Sequence, residues 1–131
     1  MPTAALDHVN IQTTRLTDTV RFFADVLELA ASDPPPPLDP ALVQWMFDDN
    51  GRAIFHLTTP GSIGSYNESA DTGAVHHVAL DCSGHDAMVA RLDRLGVAHR
   101  ENHVTAIDLK QIFVRDPNGV LLELNYRKNN H

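Results

Sequence analysis

The feature that most constrains the fold of this chain is an internal repeat, in which the second half of the sequence follows the pattern of the first. Residues 8–11 (HVNI) align with residues 77–80 (HVAL). Residues 50–51 (NG) followed by 54–57 (IFHL) align with residues 118–119 (NG) followed by 121–124 (LLEL). Each copy is roughly 55 residues long and reads as a strand, a helix and three further strands. The repeat therefore predicts an α+β fold built from two tandem βαβββ modules.

Alternation of apolar and polar residues, interrupted by turn residues, predicts where the strands lie. The predicted strands are residues 6–12, 43–47, 53–58, 75–82, 97–100, 109–114 and 120–125. Four consecutive prolines at 34–37 cannot continue a helix, so residues 32–41 read as an irregular loop. The Asn-Gly pairs of the repeat are typical of the tight turns that join antiparallel strands.

Each copy also contains one amphipathic helix. In the first copy, Thr17 or Asp18 is a suitable cap, and the helix should end before the four prolines. In the second copy, the helix should begin at Ser83 or Asp86 and end at Gly96 in the left-handed conformation.

These elements define a single domain over residues 1–131, made of two modules at about 5–59 and 75–126. The loop 60–74 joins them and is rich in Gly, Ser, Asn and Thr around a lone aromatic residue, Tyr66. Mobile surface loops often carry function, so we hypothesise that this loop closes over a binding cavity.

The charge and cysteine content exclude several classes of function. The formal net charge of −7 argues against a nucleic-acid backbone or an anionic membrane as partner. No apolar run is long enough to span a bilayer, and the N-terminus lacks the features of a secretory signal. The only cysteine, Cys82, cannot form an internal disulfide and fits a reducing compartment. We expect a cytoplasmic protein that acts on a small molecule.

Strand alternation selects the histidines that can share a site. His77 has the same parity as Ala79 and Asp81, whereas the adjacent His76 has the opposite parity and should point away. If the sheets of the two modules curl to face one another, the first and last strands of each module direct polar side chains into one cavity. The side chains predicted to meet there are His8, His56, His77 and Glu123.

Imidazole and carboxylate groups in this combination suit a divalent transition metal, namely Fe, Mn, Zn, Ni or Co. Three neutral histidines and one carboxylate leave a net positive charge on the ion, which attracts anionic or enolisable oxygens. The predicted ligands are His8, His77 and Glu123, and His56 is either a fourth ligand or a proton shuttle. His85 and His99 are predicted to be structural.

Four segments of the chain resemble the vicinal oxygen chelate superfamily, which includes glyoxalase I, fosfomycin resistance proteins, extradiol dioxygenases and bleomycin resistance proteins. The segments are residues 6–9 (LDHV), 22–27 (FFADVL), 76–79 (HHVA) and 116–124 (DPNGVLLEL). The resemblance implies paired βαβββ modules, metal ligands at His8, His77 and Glu123, and a variable fourth group at His56. It also implies homodimers whose sites combine modules of both subunits.

The resemblance further implies that the metal chelates two adjacent oxygens of the substrate and stabilises an enolate, oxyanion or catecholate. A displaceable Glu123 or an unligated histidine would move the proton. Lyase, isomerase and dioxygenase chemistry all remain open. Glyoxalase I usually has a carboxylate where this chain has His56. Extradiol dioxygenases use an additional histidine, for which His56 or His103 could serve, and a tyrosine where this chain has Phe113.

The competing hypothesis is a binding protein without catalysis. Bleomycin-resistance-like members of the superfamily lack the metal and bind a cationic drug in an acidic dimer groove. The net charge of −7 fits such a protein, whereas the intact set of His8, His77 and Glu123 favours the enzyme.

Overall fold

The computed structural model describes residues 5–62 and 73–128 and divides into two compact units, Met1–Ala70 and Asp71–His131. Each unit contains one four-stranded mixed sheet and one main helix, in the order strand, helix and three strands. The predicted α+β fold of two tandem modules is therefore confirmed. Tyr66 lies outside the described residues. Among the described residues, no helix has the length and apolar character needed to cross a membrane.

The first unit is built from four strands and helix α1. Its elements are β1 (Val9–Gln12), α1 (Leu16–Asp25), β2 (Ala30–Ser32), β3 (Val43–Phe47) and β4 (Ala53–Thr58). The strand order is β1-β4-β3-β2, with β1 parallel to β4 and the other neighbours antiparallel. Phe23 of α1 packs against Phe55 of β4 with ring centroids 4.7 Å apart, and both side chains are buried.

The second unit repeats this topology. Its elements are β5 (Val78–Cys82), α2 (His85–Leu95), β6 (His99–Val104), a 3-10 turn (Thr105–Ile107), β7 (Leu109–Arg115) and β8 (Leu121–Tyr126). The strand order is β5-β8-β7-β6, and β5 is parallel to β8. Gly96 ends α2 with a φ of 67°, as predicted, and its N–H bonds the Asp93 carbonyl.

The two faces of the second sheet differ in character. Leu122, Leu124 and Tyr126 point to one side and are fully buried, and His85 of α2 meets the Tyr126 ring edge-on there. We call this side the helix face. Glu123 and Asn125 alternate with these residues and therefore lie on the other side, which we call the polar face.

The register of the two sheets shows that the repeat is structural as well as sequential. His56 of β4 lies between Asn10 of β1 and Trp45 of β3. Glu123 of β8 occupies the same place in the second sheet, between Ala79 of β5 and Phe113 of β7. His56 and Glu123 are therefore equivalent positions, as the alignment of the repeat predicts.

One prediction about the first helix is wrong. No side chain of Thr17 or Asp18 caps α1; instead the Thr13 hydroxyl accepts the Arg15 N–H at 2.8 Å. The helix ends at Asp25, before the prolines as predicted, and Glu28 adopts a φ of +58°. The residues that follow form β2, because pairing with β3 satisfies their backbone groups, and the prolines mark only the latest possible end of a helix.

The strand predicted at residues 97–100 is longer than expected, because β6 continues to Val104. Residues 100–103 are all polar or charged and show no alternation of hydrophobicity, so the sequence gives no strand signal there. β6 is an edge strand paired only with β7, and its side chains are largely exposed. Pairing with β7 therefore determines its length.

Candidate metal centre

The second unit brings His77 and Glu123 together on the polar face. The His77 Nε2 atom lies 3.7 Å from Glu123 Oε1, which is too long for a hydrogen bond. With metal–ligand bonds of about 2.0–2.2 Å, two ligand atoms of one cation lie roughly 3–4 Å apart. The separation is therefore compatible with two ligands of one divalent cation. The Glu123 side chain is only 17% exposed, so few waters reach this carboxylate.

The remaining polar atoms of this pair have their own partners. The Nδ1 atoms of His76 and His77 lie 2.9 Å apart, so one ring donates to the other. The Asn125 amide donates to Glu123 Oε2 at 2.9 Å. If His77 is the donor to His76, its Nε2 carries a free lone pair, which is the form that binds metals. His77 Nε2 and Glu123 Oε1 would then both be available to bind one cation.

His76 does not point away from His77, contrary to the prediction. The two rings meet edge to face with centroids 5.2 Å apart. Both residues precede β5, which begins at Val78, so strand alternation does not govern their directions.

A series of side-chain amides, which we call the amide ladder, supports Glu123 from across the sheet. Asn102 donates to Gln111 at 2.8 Å, Gln111 donates to Asn125 at 3.0 Å, and Asn125 donates to Glu123. Asn102, Gln111 and Asn125 are directly paired on β6, β7 and β8. The ladder fixes the orientation of the Gln111 and Asn125 amides. In each, the carbonyl oxygen accepts a hydrogen bond from the preceding residue and the NH2 group donates one to the next. The sequence did not predict these residues, because their position on the same face as Glu123 depends on the pairing of three strands.

The first unit brings His8 and His56 together in a different arrangement. Their rings are stacked, with centroids 3.6 Å apart and an interplanar angle of 10°. Trp45 stacks on the other side of His56 at 4.0 Å and 11°. Asp7 accepts a hydrogen bond from His8 Nδ1 at 2.7 Å, and this bond lowers the pKa of the Asp7 carboxyl. We call Trp45, His56 and His8 the aromatic stack.

The aromatic stack does not suit joint ligation of one cation by His8 and His56. The lone pairs of an imidazole lie in its ring plane, and the planes of two stacked, nearly parallel rings do not meet at a common ion. Burial between its neighbours, together with the proximity of His8, lowers the pKa of His56.

His103 lies on the opposite face of the second sheet from Glu123. It is paired with Lys110, which is paired with Tyr126 on the helix face. There it contacts Asp108 at 2.7 Å and lines a cleft of about 370 Å³ with His85 and Glu101, among others. The register therefore does not bring His103 to Glu123.

Each unit thus contributes one pair of the predicted site residues: His8 with His56, and His77 with Glu123. Within either unit, the described residues contain no group of three or more His, Cys, Asp or Glu side chains arranged to hold a metal ion. His85, predicted to be structural, is buried between Asp86 and Glu101. His99 bonds the Val97 carbonyl at 2.9 Å.

The family model described as the Glyoxalase/Bleomycin resistance protein/Dioxygenase superfamily matches residues 5–124. The chain therefore belongs to this superfamily, which confirms the resemblance found in the sequence. Many members of the superfamily are enzymes that act on small molecules with the help of a divalent metal. None of the curated proteins compared with the chain matches it.

Several solved structures share the fold at low identity. A glyoxalase/dioxygenase from Nostoc punctiforme is 16% identical, with a TM-score of 0.74 and coverage of 94% of this chain and 90% of that one. A glyoxylase/bleomycin resistance protein/dioxygenase domain from Frankia sp. EAN1pec is 14% identical, with a TM-score of 0.71 and coverage of 99% and 96%. Lactoylglutathione lyase from Agrobacterium tumefaciens is 18% identical, with a TM-score of 0.65 and coverage of 95% and 93%. These similarities establish the fold alone.

Proposed function

We propose that this protein is a divalent-metal-dependent enzyme that binds a small substrate through two adjacent oxygens. The observation that carries the proposal is the 3.7 Å separation of His77 Nε2 and Glu123 Oε1, which is too long for a hydrogen bond and compatible with two ligands of one cation. If the pair were only structural, we would expect His77 to donate a hydrogen bond to Glu123, because a largely buried carboxylate is stabilised by each hydrogen bond that it accepts. His8 from the first module completes the proposed ligand set, and Fe, Mn, Zn, Ni or Co would suit it.

The roles of the side chains follow from their contacts. His77 and Glu123 hold the cation, and the Asn125 amide keeps the second carboxylate oxygen from turning toward it. A bound divalent cation supplies Lewis-acid stabilisation of the negative charge that develops on the substrate oxygens. Of the two roles predicted for His56, the aromatic stack favours proton transfer, because rings parallel to one another do not converge on one ion.

The test is elemental analysis of protein purified without a nickel column. Wild type should retain about one transition-metal ion per chain, and His77→Ala and Glu123→Gln should each lose it, because three ligands are the usual minimum for a catalytic site. His103→Ala is the matched control: it removes a histidine from the same unit but from the opposite face, so the metal should remain.

Two results would contradict the proposal. One is a wild-type protein that retains no metal and gains none on dialysis against each of the five candidate ions. The other is equal loss of metal in His77→Ala and His103→Ala, which would indicate general destabilisation. In the first case a non-catalytic binding protein of the bleomycin resistance type becomes the better description, and the affinity for a cationic drug should then be measured.

We further propose that the protein is a homodimer whose sites combine modules of two subunits, as the superfamily suggests. Complementation tests this directly. If the site uses His8 of one subunit and His77 of the other, a mixed dimer of His8→Ala and His77→Ala contains one intact site and binds metal. If each site lies within a single chain, the mixed dimer contains no intact site and binds none.

A further inference from the structure

The polar face of the second sheet carries a continuous row of side chains that leads away from the metal pair. Glu123 of β8 is directly paired with Phe113 of β7, and Phe113 is directly paired with Arg100 of β6. Neighbouring strands are about 4.8 Å apart, so the row from Glu123 to Arg100 spans roughly 10 Å. This is the scale of a small molecule one aromatic ring long.

A cleft opens at the far end of this row. Its volume is about 390 Å³, and its lining includes Arg100, Phe113, Arg115 and Leu121. Arg115 lies two residues after Phe113 on β7, and Leu121 lies two residues before Glu123 on β8. Arg115 and Leu121 are paired with each other, so both lie on the polar face. A cavity of this size lies within the range that binds small organic ligands.

The cleft is positively charged in a protein whose net charge is −7. The Arg100 guanidinium lies over the Phe113 ring at 5.0 Å, which fixes its orientation. The Arg115 guanidinium donates to the Gly119 carbonyl at 2.8 Å. Among residues 5–62 and 73–128, neither guanidinium forms an ion pair with a carboxylate. Both therefore retain N–H groups that can bind an anion.

Resting on the function proposed above, we propose that the substrate is a small carboxylate with a flat apolar body, bound by Arg100 and Arg115 at its anionic end. A planar guanidinium matches a carboxylate in shape and donates two parallel hydrogen bonds to it. The adjacent oxygens lie at His77 and Glu123, the body lies along Phe113, and the carboxylate enters the cleft. Arg100 and Arg115 are then the residues that determine specificity.

Two probes that differ only in the carboxylate test the proposal. Catechol and 3,4-dihydroxybenzoate have the same adjacent oxygens, and zinc-loaded protein binds them without redox turnover. By calorimetry, 3,4-dihydroxybenzoate should bind wild type at least about 10-fold more tightly than catechol. In Arg100→Gln and Arg115→Gln this preference should fall to within about threefold, while catechol affinity changes less than about twofold.

Arg94→Gln is the control, because it removes the same charge from the last turn of α2, away from the polar face. It should leave the preference at its wild-type value. Equal affinity of wild type for both probes, or a preference that survives in both cleft variants, would overturn the proposal.

A third probe separates failure of the cleft from failure of the metal site. Benzoate has the carboxylate but no adjacent oxygens, and its binding to metal-free protein depends on the cleft alone. If the protein binds no metal but Arg100→Gln abolishes benzoate binding, the proposed function is wrong and the anion site stands. If the protein binds metal and catechol but shows no benzoate binding, the anion site is wrong and the metal site stands.

Discussion

The two modules place equivalent rows of residues on their sheets and use them differently. In the first module the row is Asn10, His56, Trp45 and Ser32; in the second it is Ala79, Glu123, Phe113 and Arg100. The aromatic residue of the first row stacks on the histidine beside it. The aromatic residue of the second row instead contacts the guanidinium of Arg100 on the strand beyond it.

This difference shows how one scaffold position can acquire two chemical roles. His56 is covered on both ring faces, by Trp45 and by His8, and is held by stacking. Glu123 is held through one oxygen by the amide ladder, and its other oxygen faces His77. The strands pair in the same way around His56 and Glu123, so the identities of these two residues and of their neighbours decide the role of each position.

The largest effect on metal affinity is expected when the two equivalent positions, Glu123 and His56, are compared as separate alanine variants. Glu123→Ala should weaken metal binding more than about 100-fold, because it removes a ligand and not only a supporting contact. His56→Ala should retain the metal within about threefold and lose turnover instead, because its ring lies parallel to that of His8. Competition with a chelator measures the affinities. Comparable losses of metal in both variants would make His56 a ligand.

An intermediate effect is expected along the amide ladder. Asn125→Ala should weaken metal binding by about 10–100-fold, the usual cost of removing the partner that orients a ligand. Asn102→Ala, at the far end of the same ladder, should weaken it by less than Asn125→Ala, because Gln111 and Asn125 can still hold each other. Titration of metal-free protein gives both values. Equal effects of the two variants would show that the ladder does not position Glu123.

A smaller effect is expected in the aromatic stack. Burial is the main reason that the pKa of His56 is lowered, so Trp45→Ala should raise it toward the ordinary value. His56 would then be protonated to a greater extent at pH 6 than in wild type. Histidine ring resonances followed by NMR across pH 5–8 measure the change, and Trp45→Phe, which retains an aromatic face, is the control. An unchanged or lower pKa in Trp45→Ala would contradict the stacking argument.

The smallest effect concerns the aligned residues Thr13 and Cys82, at the end of the first strand of each module. Thr13 accepts a backbone hydrogen bond from Arg15, whereas the aligned Cys82 donates to the Leu80 carbonyl at 3.7 Å. Burial raises the pKa of the Cys82 thiol to about 11. Since thiolate is the nucleophile, alkylation of the native protein at pH 8 should be about 100-fold slower than that of a small thiol. Rapid alkylation would contradict the burial of this group.

The raised pKa also has a consequence for stability. A thiol whose pKa is higher in the folded state contributes stability that is complete below pH 9.0, the ordinary value, and is lost as the pH rises toward about 11. The unfolding midpoint of wild type should therefore fall over this range, and Cys82→Ala should show a shallower fall. Identical pH profiles would show that another group is responsible.

Part of the candidate site could be predicted from the sequence, and part could not. The equivalence of His56 and Glu123 followed from the alignment of the repeat, and the register agrees with it. His76 was misplaced, because alternation applies only inside a strand and both histidines precede β5. The placement of His103 depended on β6, a polar edge strand that gives no hydrophobic signal.

The sequence by itself determined the α+β class, the two-module topology and the face of its strand on which Glu123 lies. All three follow from hydrophobic periodicity and turn residues, which are local properties of the chain. Only the tertiary structure decided that His56 is covered by Trp45, that Glu123 is held by the amide ladder, and that Arg100 lies over Phe113. These contacts join residues on neighbouring strands, and hydrophobic periodicity along one strand does not specify which polar group across the sheet a side chain will meet.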